Sequence, residues 1–84
     1  MDKNTLITQL AETILELKTI DGVIDFLKGL LTPKELAEIA QRIEIVKRLK
    51  QGMPQRKISE ELGVGIATIT RGSKELKKGR FKNV

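Results

Sequence analysis

Gly63-Val64-Gly65 is the feature that most limits what this chain can become. Before it, residues 55–62 carry Ile58 and Leu62 at helical spacing; after it, Ile66, Ala67, Thr68, Ile69 and Thr70 lead to Arg71. Two short helices joined by a tight glycine turn make a helix-turn-helix, whose second helix can lie in the DNA major groove. The second stretch is a poor helix on stability grounds. β-Branched Ile-Thr-Ile-Thr loses rotamer freedom there, and Gly72 in mid-helix costs a further ~1 kcal/mol relative to alanine. Short side chains of this kind suit contact with base edges and phosphates.

The charge is segregated in the same direction. The net charge is +5, but residues 1–42 carry five basic and seven acidic side chains, whereas residues 43–84 carry eleven basic and four acidic ones. Between Arg71 and Lys82, six basic residues stand against Glu75 alone. Such asymmetry is the footprint of a polyanion binder; a solvated basic tail is the bland alternative. The chain has no Cys and no His. Disulfides, thiolate metal sites and the commonest general base are therefore excluded, and no metal site or enzyme activity is expected. No apolar run approaches the ~20 residues that span a membrane, and residues 1–10 do not read as a signal peptide. A cytoplasmic protein is the expectation.

Breaks at Asp21-Gly22, Thr32-Pro33, Gly52-Met53-Pro54 and Gly63-Val64-Gly65 predict five helices, over about 3–18, 21–30, 33–51, 54–62 and 66–77. No segment alternates with period two, so the fold class is all-α: a small helical domain, residues 1–84, with no sheet. Residues 1–51 read as a helical dimerisation core, 54–77 as the helix-turn-helix and 78–84 as a frayed basic tail. Thr32-Pro33-Lys34-Glu35 is a capping box with proline at the first helical position. The third helix carries a stripe of Leu36, Ile39, Ala40, Ile43, Val46 and Leu49. The first two helices are more apolar than one small chain needs. Leu6, Ile7, Leu10, Ile14, Leu15, Leu17, Ile20, Val23, Ile24, Phe26, Leu27, Leu30 and Leu31 fall within residues 6–31. A patch that broad marks a partner surface, and packing against a second copy covers it; a compact five-helix monomer is the alternative.

GIATITRGS, preceded by QRKISEELG, resembles the helix-turn-helix of the tryptophan repressor family. The similarity reaches back through Leu31-Thr32-Pro33-Lys34-Glu35 and Arg42-Ile43-Glu44-Ile45-Val46, covering roughly residues 31–77. It implies an intertwined all-helical homodimer that binds double-stranded DNA as a transcription repressor. It also implies that Arg56 reaches a guanine edge, the base arginine favours, with Gln55 beside it. Ile66, Ala67, Thr68 and Thr70 match the groove-facing residues of the recognition helix, where the family reads bases largely through water. Ile69, between two outward threonines, is expected to point inward onto Leu62. Lys74, Lys77 and Lys78 are expected at phosphates, which position without reading sequence.

By the same resemblance, Thr32, Arg42, Arg71 and Gly72 match a corepressor site for L-tryptophan. Three of them have a structural alternative: Thr32 as a cap, Arg42 paired with Glu38, Arg71 on a phosphate. Three features depart from the family. Its ligand-binding serine falls on Glu75, the turn at Gly52-Met53-Pro54-Gln55 is one residue shorter, and its final helix is missing. IAQRIEIVKRLKQG is closer to a second branch of the superfamily, whose ligand is not established. Glu75, four residues after Arg71, is expected to pair with it and so to weaken or abolish tryptophan binding. Gating by tryptophan or a related small molecule and constitutive DNA binding both remain open. So do two other readings: the DNA-binding part of a mobile-element recombinase, and a helical adaptor or antitoxin module.

Overall fold

A computed structural model describes all residues of the protein, 1–84. Five helices form and no strand: α1 (Lys3–Glu16), α2 (Ile20–Leu30), α3 (Pro33–Lys50), α4 (Gln55–Leu62) and α5 (Ile66–Lys77). The all-α expectation holds. None of the helices is long and apolar enough to cross a membrane. The chain divides into two compact units, Met1–Leu36 and Ala37–Val84.

In the first unit the helices are set by their caps. Asp2 accepts from the Thr5 backbone N–H at 2.9 Å and starts α1. The helix stops at Glu16, two residues short of expectation, because Leu17 turns extended (φ −73°, ψ 131°). α2 begins at Ile20, ahead of the expected Asp21, because Thr19 is its N-cap and accepts from the Gly22 N–H at 3.0 Å. Gly22 therefore sits in the first turn, where a Cβ would come 3.0 Å from the Thr19 hydroxyl oxygen. The capping box of α3 is reciprocal. Thr32 Oγ1 accepts from the Glu35 N–H at 3.2 Å, and Glu35 Oε1 accepts from the Thr32 N–H at 2.9 Å. The Thr32 backbone N–H, and after it the Thr32 hydroxyl, hold the Glu35 carboxyl below its ordinary pKa.

The first unit encloses no core. No side chain of α1 or α2 is buried, and Ile7, Leu15, Ile20 and Leu30 are each more than half exposed.

The second unit does have a core, built from one isoleucine on each of three helices. Ile45 of α3, Ile58 of α4 and Ile69 of α5 are at most 1% exposed, with Leu49, Met53, Leu62 and Val64 packed around them. Ile69 is inward, as expected. The stripe on α3 is a correction. Ile45, outside the expected stripe, is in the core, whereas Ile39 is exposed. Of that stripe only Val46 is fully buried. The helix has two apolar faces, and α4 and α5 pack on the one through Ile45 and Leu49. Arg48 adds a polar tie: it bonds Glu44 on its own helix and Glu61 of α4 at 3.3 Å. Both carboxylates raise its pKa, Glu44 the more strongly.

Two turns carry the chain around this core. After α3, Gly52 at φ 84° closes the helix, with its N–H on the Leu49 carbonyl and that of Met53 on Arg48. Pro54 is the N-cap of α4, one position before the helix itself, so α4 starts at Gln55 rather than at the predicted 54. Between α4 and α5, Gly63 caps α4 in the left-handed region (φ 65°), donating to the Ser59 carbonyl at 2.9 Å. Ser59 Oγ in turn donates to the Val64 carbonyl at 2.6 Å. Gly65 is extended (φ −71°) and caps α5.

The expected frayed tail is a second correction. Lys50 Nζ donates to the backbone carbonyls of Phe81 and Val84, at 2.7 Å for the latter. The Arg80 N–H donates to the Glu75 carbonyl at 3.2 Å. The physical reason is the cation at the end of α3, which supplies donors for carbonyls that a loose tail would leave to water.

The two turn glycines therefore differ in kind. Gly63→Ala places an L-residue in the left-handed region and should cost about 1–2 kcal/mol. Gly65→Ala has open space and an ordinary φ and should change stability little. Urea denaturation at fixed protein concentration measures both; equal costs would mean the turn is not held by the Gly63 conformation.

Candidate nucleic-acid interface

The outer side of α5 is exposed while its inner side is locked. Ile69 is fully buried. Ile66, Ala67, Thr68, Arg71, Lys74, Lys77 and Lys78 are all exposed. At Gly65, the N-cap, no side chain bonds the first turn, and no acidic residue stands in that turn. The same is true of α4 behind Pro54. By contrast, the first turns of α2 and α3 carry Asp21 and Glu35. The positive ends of α4 and α5 are thus left open to an external anion, as phosphate-binding helix termini are.

Arg56 stands at the start of α4. Its side chain is 90% exposed, and its one neighbour of opposite charge is Glu60, one turn on at 3.7 Å. Exposed pairs of this sort are weak enough to exchange for another acceptor. Gln55 is half-buried, and its Oε1 accepts from Thr70 Oγ1 at 3.2 Å. Thr70 also donates to the Ile66 carbonyl at 3.0 Å. Thr70 therefore departs from the expected outward pair. Residues two apart on a helix do not share a face, so with Thr68 exposed, Thr70 turns toward the first turn of α4. There it clasps the two helices together. Lys74 and Lys77 make no ion pair, while Lys78 lies 3.3 Å from Glu75.

A cavity of about 650 Å³ lies between α3 and α5. It brings together Arg42, Arg71, Gly72 and Glu75, four of the five residues expected at a ligand site, and Thr68 reaches it as well. Thr32 is not among its lining residues and is engaged in the capping box. The expected Arg71–Glu75 ion pair does not form. Glu75 instead meets Lys78 at 3.3 Å and Arg80 at 4.0 Å. The turn after α5 brings these two cations to Glu75, and Arg71 is left without a carboxylate partner. Arg42 likewise makes no ion pair with Glu38. Arg80 and Phe81 also line the cavity. Sequence reasoning missed them, because the signal that folds them back is a single lysine thirty-one positions away.

Comparison with known proteins follows the same lines. The model of the family described as Trp repressor protein matches residues 5–83. A "Trp operon repressor homolog" of Photobacterium profundum is 60% identical over 52 residues, covering 61% of this chain and 50% of the relative. One from Vibrio cholerae serotype O1 is 59% identical over 49 residues, covering 57% and 48%. One from Vibrio vulnificus is 57% identical over 49 residues, with the same shares. The chain spans about half the length of these relatives. No solved structure gives a significant match.

Gly72 tests whether packing or the cavity accounts for the weak point in α5. A Cβ there would lie 3.4 Å from Ile45 Cγ2 and 3.7 Å from Leu49 Cδ1, which is ordinary contact. Alanine fits, so packing does not demand the glycine, which also lines the cavity. Gly72→Ala should raise stability by roughly 0.5–1 kcal/mol through helix propensity. A loss in thermal denaturation would instead assign the glycine to α3–α5 packing.

Proposed function

The chain belongs to the Trp repressor protein family, and on that premise we propose that it is a sequence-specific DNA-binding transcription regulator of the repressor type. It works as a homodimer on a palindromic operator, and the cavity between α3 and α5 is the site of a gating ligand, tryptophan or a related small molecule. The observation that carries the DNA reading is α5 itself. Its inner face is anchored by Ile69, while its outer face offers short side chains and unpaired cations. A helix held rigidly from behind is what groove insertion needs, since contacts must be pre-positioned to discriminate bases.

The proposed roles divide between reading and holding. Arg56 reads a base edge; Ile66, Ala67 and Thr68 approach the groove floor; Thr70 and Gln55 fix the angle between the two helices. Lys74, Lys77 and Lys78 hold phosphates. Arg56→Ala should cost roughly 1–3 kcal/mol at the preferred site and relax base preference there. Lys77→Ala should weaken all duplexes about equally and flatten the salt slope by about one unit. Electrophoretic shifts across a salt series and a panel of duplexes compare the two. Identical profiles would remove Arg56 from base readout.

The dimer rests on the apolar side chains that α1 and α2 leave uncovered. Ile14 is 46% exposed in the single chain, so an aspartate there would be tolerated in a monomer. In a dimer that buries this face it would force a charge into apolar contact. Sedimentation should show a dimer for the parent and dissociation or unfolding for Ile14→Asp. A parent that stays a folded monomer at micromolar concentration would refute the assembly. The operator half-sites should then lie about one helical turn apart, as two-fold symmetry requires.

A further inference from the structure

The front half of α5 is held firmly and its rear half is not. Ile69 is the one buried side chain of the helix, and Thr70 bonds Gln55 of α4 at 3.2 Å. Further along, Gly72 lies against α3 with no side chain to grip it; a Cβ there would come 3.4 Å from Ile45 Cγ2. No side chain of α3 bonds α5 directly. Arg48 goes to Glu44 and Glu61, and Lys50 goes to the Phe81 and Val84 carbonyls. The polar tie between α3 and the rear of α5 therefore runs through residues 79–84. That segment grows out of the last turn of α5: the Gly79 N–H donates to the Leu76 carbonyl at 3.0 Å, and the Arg80 N–H to the Glu75 carbonyl at 3.2 Å. Gly79 (φ 90°) and Phe81 (φ 61°) then turn the chain back toward α3. Positive φ is unfavourable for a bulky residue such as Phe81, so the reversal needs a hold from outside. Lys50 supplies one, committing two of its three ammonium donors to it.

We infer that Lys50 is a positioning residue for DNA reading: by holding residues 79–84 it fixes the tilt of α5 and so aims Ile66, Ala67 and Thr68, without itself touching DNA. This inference rests on α5 being the reading helix proposed above. Geometry gives the tie its leverage. Lys77 lies about 12 Å along the helix axis from Ile69. A slack of ~1 Å at that distance tilts the helix by only about 5°, inside the roughly 10–20° that a working site tolerates. With the rear released, α5 swings about Ile69 and its front residues lose their aim. Base readout depends on that aim, whereas attraction to the phosphate backbone does not.

The test compares the duplex that the parent chain enriches from a random pool with a scrambled duplex of the same length. Lys50→Gln should lower the ratio of the two affinities by roughly five- to tenfold, about the loss of one base-pair contact, with the salt slope unchanged. Lys50→Arg keeps a cation with several donors and should retain the parent ratio. Gly79→Ala strains the returning turn without changing charge, its methyl meeting only the flexible end of Lys82, and should lower the ratio as Lys50→Gln does. Without DNA, amide exchange over residues 72–77 of Lys50→Gln should quicken relative to exchange in α3, a local change that general destabilisation does not produce. Equal losses on both duplexes, with a slope flatter by about one unit, would make Lys50 a phosphate contact and overturn the inference. An unchanged ratio in Gly79→Ala, or exchange quickened equally in every helix, would overturn it too. A parent that shifts no duplex removes the DNA reading and the aiming role with it, whereas a parent preference that Lys50→Gln leaves intact removes the aiming role alone.

Discussion

Contact among Ile45, Ile58 and Ile69 holds the second unit in place. Each isoleucine comes from a different helix, and each is at most 1% exposed. β-Branched side chains have few rotamers, so three of them in mutual contact define one geometry. That geometry fixes where the outer face of α5 points and where α3 lies beneath it. The cavity lies against the same contact: Ile45 belongs both to the core and to the cavity lining. A small domain has little apolar burial to spare. Here the core that orients the proposed reading helix is also the floor of the proposed ligand site. A change in how α5 sits on Ile45 would reach both at once, which makes coupling between ligand and DNA physically direct.

The polar contacts divide between those that tie structure together and those left open. Arg48 is bonded to Glu44 and Glu61 and joins α3 to α4. Gln55 and Thr70 join α4 to α5. Lys50 joins α3 to the tail. Arg42, Arg71, Lys74 and Lys77 take part in no ion pair. The first two line the cavity and the last two lie on exposed positions of α5. Unpaired cations repel one another and add nothing to the stability of a lone chain. Their place on a basic surface fits the proposed polyanion partner, which would supply the missing charge.

Much of this was legible in residue order, and the misses share a cause. The five helices, the Thr32–Glu35 capping box, the Gly63 turn and the inward Ile69 all follow from local rules of caps, turns and periodicity. The features that sequence reading missed depend on side chains meeting across the fold. Ile45 escapes a periodicity argument because α3 has two apolar faces and spacing alone does not say which one α4 and α5 select. The Arg71–Glu75 pair was expected from helix spacing, yet Lys78 and Arg80 compete for the same carboxylate and win it. Nothing local orders the tail, so residue order predicts fraying; its anchor is Lys50. Among the residues lining the cavity, Arg42, Arg71, Gly72 and Glu75 are singled out by the family resemblance, whereas no sequence signal points to Arg80 and Phe81.

The two units solve the problem of stability in different ways. The second unit closes around its own isoleucines. The first has good caps at Asp2, Thr19 and Thr32 but buries no side chain of α1 or α2. Capping contributes about 1 kcal/mol per site, and short isolated helices are marginal in water even when well capped. Caps alone therefore do not account for α1 and α2. Apolar burial against the proposed second copy would, at roughly 25 cal/mol for each Å² removed from water. In the proposed dimer, folding of the first unit and association are then one process, and stability depends on protomer concentration. The same association would supply the second helix that the proposed palindromic site requires, so in that reading DNA binding and completion of the fold draw on a single event.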